Sequence, residues 1–193
     1  MQWIGSQPGS CQNKFMQLKT FSPQEIQIVN NAVVMAEELV NNAYKMTTSQ
    51  WVRLRYDIKT LCDLAPEEIV QGPFAQVIRY EGQRPDASLG SSTYDFYKIC
   101  LQDHAILAAV QQAPALALFP FMLYIITHEL IHLVRFNRFL QNFNASTEEK
   151  MAEEARVHRK TYEILRDIRM EGLLEVFGFY RHWHQPLDGM TSS

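Results

Sequence analysis

Apolar residues recur along this chain at two different periods, and the periods divide it into segments. From Ile26 onward, Ile26, Val29, Val33, Ala36 and Val40 return every three or four residues, the spacing of one helical face. Ser22-Pro23-Gln24-Glu25 opens that helix: Ser22 caps it, Pro23 suits the first turn, and Glu25 reaches back in a capping box. A second helix is expected after Ser49, carrying Trp51, Leu54, Ile58 and Leu61, with a short one after Pro66. Glu37-Glu38 and Glu67-Glu68 read as solvated helix faces.

After Gly72 the period changes. Phe74 to Tyr80 and Tyr94 to Leu101 are rich in aromatic and β-branched residues with partial alternation, which predicts two strands. Glu81 to Thr93 is polar and holds Gly82, Pro85 and Gly90, so the pair is expected to form an antiparallel ribbon around a loop. The run from Ala105 to Phe136 is apolar enough to raise a membrane span. Gln111, Gln112, Pro114, Pro120, His128, Glu129 and His132 break it too often for lipid, and a buried core helix beginning near Pro120 is expected instead. Asn142 to Ser146 is a polar break, and Ser146-Thr147-Glu148-Glu149 caps a further helix running to about Met170, near Gly172. A last short helix from Leu173 to Trp183 precedes a Pro/Gly/Ser tail.

These elements predict an α+β fold, mostly helical, with a small antiparallel sheet packed on one core helix. Residues 1–20 read as a flexible arm and 21–193 as one domain, with a helical N-terminal part over 21–72 and a core over 73–172. The 193 residues are ample for a core, at 47% hydrophobic and 20% charged. A formal net charge of −3 offers no electrostatic footprint for nucleic acid or an anionic membrane. Cys11, Cys62 and Cys100 are odd in number and lack any CxxC spacing, which argues against a disulfide framework and a cysteine metal site. The first residues lack the basic-then-apolar order of a secretory signal, so a cytoplasmic location is expected.

The chemistry concentrates in the core helix, at His128-Glu129-Leu130-Ile131-His132. Histidines four apart fall about 40° apart around a helix, so two imidazoles can reach one ion at roughly 2.0–2.1 Å, the zinc–nitrogen distance. Glu129 lies about 100° round from His128 and can stand beside the ion, positioned to take a proton from an attacking water. A plain alternative is a pair of hydrogen-bonded core histidines, but burying two histidines and a glutamate is costly unless they are paired or metal-bound.

A hydrolytic zinc site needs a third protein ligand and an open position. Glu153-Glu154-Ala155-Arg156-Val157-His158 on the next helix is the best source. Met151, Glu154, Ala155, His158, Tyr162 and Leu165 share a stripe expected to face inward, whereas Glu153 lies about 140° from His158 and is expected in solvent. Glu154 is therefore the expected third ligand. His158, one turn on, either orients a ligand by hydrogen bond or replaces Glu154 as the ligand.

An HExxH motif followed some twenty residues later by a glutamate on the next helix resembles the gluzincin zinc metallopeptidases, the thermolysin-like zincins. The resemblance implies one zinc held by His128, His132 and Glu154, with Glu129 as general base and a peptide or protein as substrate. It also implies a zincin-like fold in minimal form, whose small sheet offers an edge strand to an extended substrate. An aspartate often stands one turn after the family's ligand glutamate; here it is His158. Arg135 and Arg138 exclude the longer metzincin motif.

Tyr162, Tyr180, His182 and His184 are candidates by type for stabilising an oxyanion. Two other functions fit parts of the pattern. Glu129-x-x-His132, with Glu37 or Glu38, could belong to a helical di-iron carboxylate oxidase or hydroxylase. A zincin-like protein of weak turnover that binds or regulates is the other.

Overall fold

The computed structural model describes residues 18–83, 93–138 and 146–181. In chain order the elements are α1 (Pro23–Tyr44), α2 (Thr48–Arg53), β1 (Tyr56–Lys59), β2 (Ala75–Gln83), β3 (Thr93–Leu101), α3 (Asp103–Gln112), α4 (Leu118–Asn137), α5 (Thr147–Leu165) and α6 (Leu173–Phe179). Short 3₁₀ turns occupy Leu61–Asp63 and Pro66–Glu68. The expected capping boxes form: Ser22 with Glu25 opens α1, and Ser146 with Glu149 opens α5.

Helix α4 is the axis of the fold. Every residue from Pro120 to Val134 is buried, because α1, α5, α6 and β2 all pack against it. A helix apolar all round must be enclosed on every side, and this one is. Its length and hydropathy would also suit a membrane crossing, yet protein covers most of it. Pro120 lies in its first turn, as expected. Phe121, Met122, Leu123, Ile126, Ile131 and Leu133 are fully shielded and join Val29, Ala32, Ala36 and Val40 of α1 in one core.

The sheet is mixed, where an antiparallel pair was expected. Its order is β1-β3-β2: β2 and β3 form the anticipated antiparallel ribbon, Val77 opposite Ile99, and β1 runs parallel to β3 with Ile58 opposite Ile99. Helix α2 thus stops at Arg53, and Ile58 leads into the core as a strand residue. Pairing with β3 satisfies the backbone of residues 56–59 and overrides the helical period read across them. Because of β1, the segment expected to be wholly helical helps build the sheet.

Side chains alternate across β3. Tyr97, Ile99 and Leu101 face the main core, whereas Cys100 packs with Leu61 and Leu64 in a second cluster on the outer face. There Glu68 corrects its expected place in solvent: it is buried, and the Lys98 ammonium and the Tyr80 hydroxyl both donate to its Oε1 at 2.5 Å. Burial would raise the Glu68 carboxyl, but Lys98, Tyr80 and the Ala65 N–H outweigh it and hold the group down at about 2. Glu37 also differs from the expected solvated face, accepting from the Tyr56 hydroxyl at 2.5 Å.

Helix α5 ends at Leu165, short of Met170, and Gly172 precedes α6 with φ 82°, the left-handed region. A Cβ there would come within 3.0 Å of Pro120, so glycine lets the α5–α6 connection lie against the start of α4. Cys62 is disulfide-bonded, which the odd cysteine count did not foretell, and Cys100 is buried and free. Cys11 and most of the expected N-terminal arm lie outside the described residues.

Replacing Ile126 by Ala should remove about 2–5 kcal/mol of unfolding free energy in urea titrations, as for other enclosed core positions. A loss below about 1 kcal/mol would mean that this side of α4 is not closed. Glu68 carries a pH signature. Its folded value lies below the unfolded 4.5, so the stability it contributes is complete above that pH and is lost as pH falls toward about 2. The urea midpoint of Glu68→Gln should therefore change less than that of the parent between about pH 5 and pH 2.

Candidate metal centre

Tyr124, His128 and His132 repeat every fourth residue on α4 and so project to one side, toward β2, α5 and α6. A cavity of about 520 Å³ opens there. Its walls are Gly72 to Val77 at the start of β2, the α4 residues Tyr124, Ile125, His128, Glu129, His132 and Phe136, and Glu154, His158 and Tyr180. Edge strand β2 and the HExxH helix thus face a common space, with α5 delivering the remaining polar groups.

The polar groups meet closely. His128 Nε2 and His132 Nε2 are 3.1 Å apart. Glu154 spans both, with Oε2 at 3.3 Å from His128 Nε2 and Oε1 at 3.3 Å from His132 Nε2. His128, Glu154 and His158 also offer ligand atoms within 4.8 Å of one another, a group that could hold a metal ion. Two trios therefore share His128 and Glu154, one completed by His132 and the other by His158.

His158 is also tied to Tyr124. Its Nδ1 lies 2.8 Å from the Tyr124 hydroxyl, while its ring centroid stands 4.3 Å from that of His128. Tyr124 in turn stacks on Tyr180, centroids 4.3 Å apart and planes within 9°. These rings form one wall of the cavity. His128 Nδ1 is buried without a hydrogen-bond partner among the described residues, and His128 meets the cluster through Nε2.

The charges respond to this packing. Burial raises the Glu154 carboxyl, but hydrogen bonds and charge from His128 and His132 prevail and hold it well below the usual carboxylate range. Glu129 moves the other way. Burial pushes its carboxyl up, and the two histidines offset this only in part, with Glu154 adding to the rise. Two carboxylates on one cavity are thus driven apart, one firmly ionised and one a stronger base. Burial, with the nearby Glu129 charge, raises the Tyr180 phenol, so it stays a hydroxyl donor.

The structure brings His128, Glu129, His132, Glu154, His158 and Tyr180 to one cavity. Tyr162 is elsewhere, with its ring edge-on to Phe177 at 4.9 Å. Glu37 is engaged by Tyr56, Glu38 is exposed, and neither lines the cavity. His182 and His184 lie outside the described residues.

Two expectations on α5 are corrected. Glu153, expected in solvent, is 5% exposed and paired with Arg135 and Arg156; Met151, expected inside, is 62% exposed. The buried face runs through Glu153, Val157, His158, Thr161 and Leu165. It is rotated from the expected stripe because Arg135 of α4 supplies a partner that makes a buried carboxylate tolerable. Sequence reasoning missed Tyr124, although its place four residues before His128 was the available signal. Comparisons with models of protein families, with curated proteins and with solved structures find no match to this chain.

Proposed function

We propose that this chain is a zinc-dependent metallopeptidase of zincin-like, gluzincin type, in which His128, His132 and Glu154 hold one zinc ion and Glu129 is the general base. One observation carries the reading. Four ligands at about 2.0–2.1 Å in a tetrahedron stand about 3.3–3.4 Å from one another. The Nε2 atoms of His128 and His132 stand 3.1 Å apart, and the Glu154 carboxylate sets one oxygen 3.3 Å from each, Oε2 by His128 and Oε1 by His132, separations close to the edges of such a tetrahedron. Two imidazoles and a carboxylate are also the donor set that suits zinc with one position left open.

Bound there, zinc would supply Lewis acidity to a water and to the scissile carbonyl. Glu129 takes the proton from the attacking water and returns it to the leaving amine, a role that its burial-raised affinity for protons favours. Tyr180, kept protonated, donates toward the carbonyl oxygen as negative charge develops on it. Edge strand β2, whose first residues line the cavity, fits the strand that an extended peptide would join. The cavity gathers only two carboxylates, Glu129 and Glu154, among the described residues, so a di-iron centre has no observation in its favour.

Metal analysis of the purified protein should give about one zinc per chain, and a peptide library should be cleaved. Glu129→Gln should keep the zinc and lose about 10²–10⁴ in kcat. Zinc retained with no Glu129-dependent cleavage would leave a zincin-like binding or regulatory protein. Two irons per chain would favour the oxidase reading.

A further inference from the structure

The approach of Glu154 to the two histidines depends on how α5 sits along α4, and most of the α5 anchoring lies beyond the ligand. Val157, His158, Thr161 and Leu165 are buried, all C-terminal to Glu154, while residues 148–152 are exposed. Residues 139–145 between the two helices lie outside the described residues. The first buried residue of α5 is Glu153, next to the proposed ligand.

Glu153 is held more firmly than Glu154. Its side chain is 7% exposed, against 41% for Glu154. Arg135, three residues beyond His132 on α4, grips the Glu153 carboxylate with two donors: Nε meets Oε1, and Nη2 meets Oε2 at 3.0 Å. Arg156 adds a contact from the more exposed side. Arg135 is itself braced by Tyr44 at the end of α1, and Arg138 Nη2 donates to the Tyr44 carbonyl at 3.1 Å.

We propose that the part-buried Arg135–Glu153 pair positions Glu154, locking the start of α5 against α4 in the register that brings the neighbouring carboxylate to His128 and His132. The inference rests on the metal-site reading above and adds the device that builds the third ligand. Apolar packing of Val157 and Leu165 is non-directional and tolerates small slides, and the contact of His158 Nδ1 with the Tyr124 hydroxyl lies a full turn beyond Glu154. A metal ligand must be held within about 0.5 Å. A two-donor guanidinium–carboxylate contact is directional, and it joins the helix of the two histidines to the helix of the glutamate one residue from the ligand. Arg135 and Glu153 touch neither metal nor substrate; they act through Glu154.

The test is zinc affinity of the full chain, measured by competition with a chromophoric chelator, with thermal unfolding of the metal-free protein recorded in parallel. Arg135→Met and Glu153→Gln should each weaken zinc binding by about 10–100-fold. Arg135→Lys should fall between, since it restores charge without the two-donor fork. Arg156→Met, on the exposed side of the same carboxylate, should change affinity by less than about threefold. In cobalt-substituted protein, Arg135→Met should also alter the visible d–d bands that report ligand geometry. If both Arg135→Met and Glu153→Gln bind zinc within about threefold of the parent and only melt earlier, the pair is merely structural and the inference fails. Should Arg135→Met not fold, the near-isosteric Glu153→Gln decides. A parent chain that binds no zinc overturns the metal reading itself, an outcome visible before any variant is made.

Discussion

Everything in this fold follows from enclosing α4 on all sides while its middle carries two histidines and a glutamate. An apolar helix needs cover, and α1, α5, α6 and the sheet supply it. The polar trio then has to be compensated inside that cover. Compensation comes from α5, whose Glu154 reaches both Nε2 atoms and whose His158 joins the Tyr124 hydroxyl. The same enclosure perturbs the carboxyls around α4: burial raises Glu129, while the histidine partners outweigh burial and hold Glu154 of α5 down.

The cavity is therefore a consequence of packing geometry. Helix α4 provides a row of side chains four apart, edge strand β2 provides an apolar wall, and α6 brings Tyr180 across to stack on Tyr124. Each element is fixed by features far from the cavity. The outer face of the sheet is sealed by Glu68 with Lys98 and Tyr80, and Gly172 permits the tight passage from α5 past Pro120 to α6.

Much of this was legible in the residues, for identifiable reasons. Periodicity and capping boxes located α1, α4 and α5, because Ser22 and Ser146 act through local hydrogen bonds that the sequence displays directly. The HExxH spacing put His128 and His132 on one side of α4, whereas the helical phase read for α5 misplaced Glu153 and Met151. Tertiary choices were hidden. Residues 56–59 carry a helical period but gain more from pairing with β3. Glu68 and Glu153 look like surface carboxylates until Lys98 and Arg135, distant in sequence, arrive as partners. A one-dimensional pattern records which residues want burial, and it is silent about which charges will be neutralised there.

The central claim is that His128, His132 and Glu154 converge on one ion. The most direct measurement is anomalous diffraction at the zinc edge from crystals of the zinc-loaded protein. The expected result is a single peak within about 2.0–2.2 Å of both histidine Nε2 atoms and a Glu154 oxygen. A peak coordinated by His158 in place of Glu154 or His132, or a peak lying outside this cavity, would contradict it.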